Sequence, residues 1–572
     1  MGRKKHIKPV IGTEGIVLRK VLEYSDIFGD RNSFDIRSTL AKYNRRLLVD
    51  AAAILVNNYA NALIPGGIQF FSYPVSAMCV HLMKLIETFK KAHPEYGKTV
   101  FYCTEKTSVE LLRYIFEIPV ADYTDTKDVE ELEFDLFMVL LAINEDNMSI
   151  ARGEGLSLSS CIYVNQFANN DLETEHEFCF RAQLLYAWNL FSFMELAPEM
   201  KPVLEDFYNC YGIEHWSEYV LTISGIYAIK AGSMDQQKTG RKVLVMSESM
   251  KEGLRQSVVD QISVDMNDCF GEENEDYKIF RSKPLIRIDE KTYYIGNNQM
   301  LCERMYNSLF FEFKQSWEKY HEKTDFFSFY NRNFVEAYLF DSIVVNCVDA
   351  SRDVTAPGID PRHYANNLSE EDSQPDFYIR HNDEISIFEC KGTKLNGRLK
   401  TKADVADVLE SLKERIYVKK NGTDEGVGQL LNHITSIEDD VFKWDKCIPD
   451  QVAYYPVLVL ENDGLNKRGL MGLANEWMLE GRRERDLMSA GCRPLIVMNI
   501  STLFYYSDTF RKKGFRYLFE DFYRHSVTWG NDGTYEVKAS ASFDQYMRRY
   551  DVSRSGKAFI RDLLEQMRKL VR

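Results

Sequence analysis

Two rhythms of apolar and polar positions divide this chain. Between residues 33 and 231 apolar side chains recur at three- and four-residue spacing, as in 80–89 and 180–193, which predicts a succession of amphipathic helices. Pro65-Gly66-Gly67 and Pro94-Glu95-Tyr96-Gly97 break that pattern into separate helices. At 235–240 the chain turns polar and reads as a linker, after which Ser249-Met250-Lys251-Glu252 has the form of a capping box. An acidic loop at 271–276 follows. Pro284-Leu285-Ile286-Arg287-Ile288 and Thr292-Tyr293-Tyr294-Ile295, separated by Asp289-Glu290, then predict a short hairpin, with a helix over 299–320 behind it.

The rhythm changes from residue 330 to residue 500. A helix containing 333–340 is expected to run into an apolar strand at 343–348. A polar loop leads to two further strands, 375–379 and 385–391. Helices over 403–417 and 427–437, a strand at 456–460, another helix and a strand at 494–500 complete the series. Helix, three strands, helix and strand is the order of a three-layer α/β design with its sheet in the middle. The remainder, 503–572, reads as helical again.

Length and composition set bounds. At 572 residues the chain exceeds what one hydrophobic core organises, so about two to four domains are expected. A net charge of −15 argues against a protein that coats nucleic acid with its whole surface, while leaving room for a basic groove. Eleven cysteines are scattered between Cys79 and Cys492 with no CxxC pair, and the ten histidines form no HExxH, so neither a disulfide scaffold nor a zinc hydrolase is supported. The basic start, Met1-Gly2-Arg3-Lys4-Lys5-His6, leads into no apolar signal core, and His6 stands where a myristoylation motif wants Ser or Thr. The strongest apolar run, 134–143, is too short to cross a bilayer, so a cytoplasmic protein with no membrane attachment is expected. There is no Walker A sequence, no complete dinucleotide fingerprint and no nucleophile elbow.

The chemistry concentrates in Pro375-Asp376 and Glu389-Cys390-Lys391. Side chains alternate faces along a strand, so Glu389 and Lys391 point the same way, while Cys390 points to the other face and offers only its carbonyl. The turn 380–384 lets the two strands pair and brings Asp376 towards both. Cutting a phosphodiester requires neutralising an anionic phosphate and activating a water, which Mg²⁺ does when held by one or two carboxylates. Asp376 and Glu389 can supply those carboxylates, and Lys391 can orient the water or stabilise phosphate charge. Lys394, Arg398, Lys400 and Lys402 follow in a loop suited to backbone phosphates, with Lys413, Arg415, Lys419 and Lys420 behind them.

In these residues the chain resembles the PD-(D/E)XK nuclease superfamily over roughly its C-terminal half. The resemblance implies a restriction-endonuclease-like domain, with Glu336 on the preceding helix completing the acidic cluster and Gln429 matching a glutamine found on the following helix in several branches. It implies a Mg²⁺-dependent endonuclease (Mn²⁺ as the substitute ion) with DNA as substrate. The expected organisation is multidomain: an all-α recognition or regulatory domain over 1–240, a connecting helix, hairpin and helix over 241–325, the α/β domain over 326–505 and a helical extension over 506–572. A solitary nuclease with a large unrelated helical half resembles bacterial anti-phage defence effectors, which points to regulation through oligomers or a partner protein bound by that half. RNA as substrate, or a catalytically silent nucleic-acid-binding or assembly module, are the alternatives.

Overall fold

The computed structural model describes residues 20–58, 77–96, 100–126, 129–147, 155–169, 176–228, 243–246, 254–271, 277–321, 325–351, 353, 374–394, 405–442, 445, 448, 451–488, 491–530 and 534–570. The linker at 235–240, the capping box at 249–252 and most of the acidic loop lie outside them. The described residues are mainly helical in the N-terminal part, with two four-stranded mixed sheets further along.

The helices Arg45–Asn58, Ala77–Ala92, Glu105–Glu117 and Val129–Asn147 bury their apolar stripes against one another in a first core that includes Leu48, Leu112, Phe137 and Leu140. Thr104 caps one of them by accepting the N–H of Thr107. Buried Asn144 donates to the carbonyls of Leu22 and Tyr102 and accepts from the Thr107 hydroxyl, so its amide is satisfied inside the core. The expected hairpin is present as Leu285–Arg287 and Thr292–Ile295, flanked by Val243–Val245 on one side and Ser263–Asp265 on the other.

This small sheet is a wall between two cores. Alternation along its strands sends Ile286, Tyr294 and Val264 into the first core, and Leu285, Tyr293, Ile295 and Leu244 into a second. The second core holds the C-terminal α/β part and also the helices Leu158–Asn169, His176–Leu196, Lys201–Tyr211 and Trp216–Ala228. The boundary expected near residue 240 is therefore not a gap in the packing. Tyr186, on the second of those helices, accepts the N–H of Ser501 at 3.0 Å.

The central sheet has the order Ile496–Asn499, Ala453–Leu460, Glu384–Lys391, Phe377–His381. Its three inner-to-edge neighbours 384–391, 453–460 and 496–499 run parallel, and the hairpin partner 377–381 is antiparallel. A parallel step from 391 to 453 needs a long crossover, which the helices Val405–Ile416 and Val427–Glu438 supply. Both faces are covered: Phe388 meets Phe340 and Phe515 on one side, and its neighbour Glu389 meets His433 on the other.

The expected strand at 343–348 is not a strand. Helix continues through Asp341–Val344 into a tight turn at Val345–Cys347. The burial explains why: Ile343, Val344 and Cys347 face inward while Val345 is 47% exposed, a helical period rather than alternation. The segment before it, Tyr330–Phe340, is a π-helix, a wider winding that is rare and concentrates at functional sites. Towards the C-terminus the expected helices are joined by a small hairpin, Val527–Trp529 with Tyr535–Val537.

Candidate active site

The hairpin sets the geometry. His381 pairs with Glu384, leaving Asn382-Asp383 as a two-residue turn, and Asn382 takes a left-handed φ of 54° that asparagine tolerates better than most residues. That turn fixes the register Phe377↔Phe388, so position 376 stands across from position 389. Asp376 accepts the N–H of Cys390 at 2.7 Å, which pins its carboxyl beside the strand that carries Glu389 and Lys391.

Glu389 is 1% exposed and engaged at both oxygens. His433 Nε2 lies 2.9 Å from Oε1, and Lys391 Nζ lies 3.3 Å from Oε2. The same ammonium is 3.7 Å from Glu425, which is also paired with Lys419. Glu336 reaches this group from the π-helix. Gly392, directly after Lys391, packs against that helix so closely that a Cβ would stand 2.9 Å from a methyl of Val335.

The charges explain one another. Burial, then the carboxylates of Glu389 and Glu336, hold the Asp376 carboxyl well above the usual range. Burial also raises Glu336, with Lys391 opposing it and Glu389 and Glu425 adding to it. Burial would push Glu389 up as well, but Lys391 and His433 outweigh it and keep this carboxyl below its ordinary value. Lys391 is likewise disfavoured as a cation by burial, yet the surrounding carboxylates raise it above its ordinary value. The result is a largely half-buried group in which three acids share one lysine, and the crowding shifts Asp376 and Glu336 towards their protonated forms.

The sequence-expected residues fare differently. Asp376, Glu389, Lys391 and Glu336 come together. The Cys390 thiol is fully buried on the other face, pushed up by burial and then by Asp376 and Glu336. The Gln429 carbonyl accepts the N–H of Gly426 at 2.8 Å, closing the first turn of its own helix rather than joining the ion network. Lys394 is turned inward: its ammonium is 3.4 Å from the buried Glu461 and lies over the rings of Tyr306 and Phe310. Arg398, Lys400 and Lys402 lie outside the described residues. Lys413, Lys419 and Lys420 pair with Glu480, Glu425 and Glu410/Glu414 respectively.

Two site residues escape the sequence pattern. His433 is four residues after Gln429, on a helix face otherwise made of Leu430, Leu431, Ile434 and Ile437. A histidine in an apolar stripe was the signal available for it. Glu425 sits in the loop before that helix, and nothing in its neighbourhood marks it.

Asp376 and Glu389 are the two carboxylates that could hold Mg²⁺, an ion that takes one or two carboxylates beside waters. The like-charge crowding around Asp376 is what a divalent cation would relieve. Among the described residues, no cluster of three or more His, Cys, Asp or Glu side chains is placed to hold a metal, and no helix is long and apolar enough to cross a membrane. Comparison with known proteins finds no matching family, no matching curated protein and no matching solved structure.

Proposed function

We propose that the chain is a metal-dependent nuclease that hydrolyses phosphodiester bonds, with DNA as its substrate. The observation that carries this reading is the convergence of Asp376, Glu389, Glu336 and Lys391 at the end of a buried strand, with more acid than the lysine neutralises. Asp376 and Glu389 would hold Mg²⁺ (or Mn²⁺), with the Cys390 carbonyl and Glu336 adjoining them. The ion, when bound, polarises the phosphoryl group and lowers the pKa of its water. His433 fixes the direction of the Glu389 carboxylate, and Glu425 is a second carboxylate partner of the Lys391 ammonium. Lys391 stays cationic in this setting, so its part is to orient the attacking water and balance phosphate charge rather than to take up a proton.

The regulated, defence-effector role rests on architecture. What supports it is that the helices 158–228 share their core with the central sheet, so a partner bound there can bias the site through packed contacts. A silent nucleic-acid-binding or assembly module is the second reading, favoured by the missing three-ligand cluster among the described residues. Incubating the protein with plasmid DNA and with RNA, in Mg²⁺, Mn²⁺ or EDTA, separates these cases. Metal-dependent DNA cleavage lost in Asp376→Ala and Lys391→Ala is the expected outcome. Cleavage that survives in both variants would sink the site assignment, cleavage of RNA alone would change the substrate, and binding without cleavage in every condition would favour the module.

A further inference from the structure

The helical segment that brings Glu336 to the site, and the helix Val405–Ile416 that precedes the Glu425 loop, also carry an aromatic and two cations that the candidate site does not use. Phe327 is half-buried in the helix Phe326–Phe329, which runs straight into the π-helix of Glu336. Arg415, exposed on the helix Val405–Ile416, places its guanidinium over the Phe327 ring, 5.7 Å from the centroid. Arg332 is exposed one turn before Glu336, and its charge is felt by that carboxyl. Lys413 on the same helix as Arg415 is neutralised by Glu480, whereas neither Arg332 nor Arg415 has a carboxylate within ion-pair distance among the described residues. Phe310 links this patch to the site, lying 6.1 Å from Phe327 and beneath the ammonium of Lys394, three residues after Lys391.

In a protein of net charge −15, two exposed arginines beside a carboxylate cluster, with no ion pair among the described residues, are open to an anionic ligand. An arginine and an aromatic ring side by side offer two flat groups, and such groups bind nucleic acid by stacking on bases. In a duplex the base faces are already occupied by their neighbours, so only an unpaired base can use such groups.

Resting on the nuclease reading of the site, we infer that the substrate is single-stranded DNA, with one unpaired base stacked on the Arg415–Phe327 pair and an adjoining phosphate held by Arg332. Binding is measured by fluorescence anisotropy on the full chain in EDTA, so that cleavage plays no part. The probes are a short fluorescein-labelled oligodeoxynucleotide and the same strand annealed to its complement. The single strand is expected to bind about tenfold or more tightly than the duplex. Phe327→Leu keeps the apolar packing without the ring, and Arg415→Lys keeps the charge without the plane; each is expected to weaken single-strand binding about five- to hundredfold. Arg332→Ala is expected to lower the slope of log affinity against log salt by about 0.7, while Phe327→Leu leaves the slope unchanged. Urea midpoints confirm that the variants are folded. The inference is overturned if the duplex binds as tightly as the single strand, or if the folded Phe327→Leu and Arg415→Lys variants bind single strands as the wild type does. Failure of metal-dependent plasmid cleavage with these binding effects intact would remove the nuclease reading and leave the stacking pair standing; the reverse pattern would do the opposite.

Discussion

Gly392→Ala tests how tightly the catalytic strand is keyed to the helix that carries Glu336. Gly392 does not have the left-handed φ that disfavours other residues, so where space allows, alanine would stabilise the protein by about 0.4–1 kcal/mol through the unfolded chain. Space does not allow it. The new methyl meets the Asn331 side-chain oxygen, which can swing away, and Val335 Cγ2 at 2.9 Å and Cγ1 at 3.2 Å, which cannot. Val335 is fully buried and β-branched, hence stiff at χ1. Overpacking of this sort costs about 1–3 kcal/mol, which offsets the gain and leaves a net loss of up to about 2.6 kcal/mol. Relief requires the strand end and the π-helix to part, moving Lys391 away from Glu336, so metal-dependent cleavage should fall more than the stability loss accounts for. Urea midpoints at constant m and initial cleavage rates read the two effects separately. Val335→Ala removes the obstructing methyls, so the double variant should be less destabilised than the sum of the singles by about 0.5–3 kcal/mol. A Gly392→Ala protein as stable and as active as wild type, with additive behaviour in the double variant, would refute the reasoning.

Other consequences follow from the same geometry. His433→Leu leaves Glu389 Oε1 without its buried partner and should cost about 1–3 kcal/mol in urea, part of it recovered by adding Glu389→Gln; an unchanged midpoint would deny His433 its part in the site. Adding Mg²⁺ to EDTA-treated protein should raise the thermal midpoint, corresponding to about 2.7 kcal/mol at a hundredfold excess over Kd, and Asp376→Asn should flatten the response. Asp463, pushed up to about 8 by burial and then by Asp544 and Glu461, keeps its proton in the folded protein above the ordinary value of 3.8. Its contribution to stability is therefore complete below that value and declines as pH rises towards about 8. Asp463→Asn retains a carbonyl for the Tyr186 and Ser501 hydroxyls without titrating, so its stability relative to wild type should rise across that window; a constant difference between about pH 5 and about pH 8.5 would contradict the assignment.

Much of the candidate site is local and was legible for that reason. Asn382-Asp383 makes the turn, the turn sets the register, and alternation puts Glu389 and Lys391 on one face with Asp376 across from the first. Where local signals compete, reading the sequence failed: Ile343, Val344 and Cys347 are as apolar as a strand, but the helix before them has no terminator, and helical burial of these three satisfies the same core. Gln429 and Lys394 illustrate another limit. A glutamine at the third position of a helix and a lysine after a strand look alike whether they face a substrate or their own fold, and here Gln429 closes its helix turn while Lys394 answers the buried charge of Glu461.

By itself the sequence determined the helical N-terminal pattern, the hairpins at 285–295 and 377–391 and the acids and lysine at the end of the latter, because each depends on spacing within a few residues. The tertiary structure decided the rest. It brought Glu336, His433 and Glu425 to that hairpin from a π-helix, a crossover helix and a loop. It also made the small sheet a wall between two cores, and joined the helices 158–228 to the central sheet instead of setting them apart. Those placements come from burying whole faces of apolar side chains against partners distant in the chain, and no local spacing records which partner a face will find.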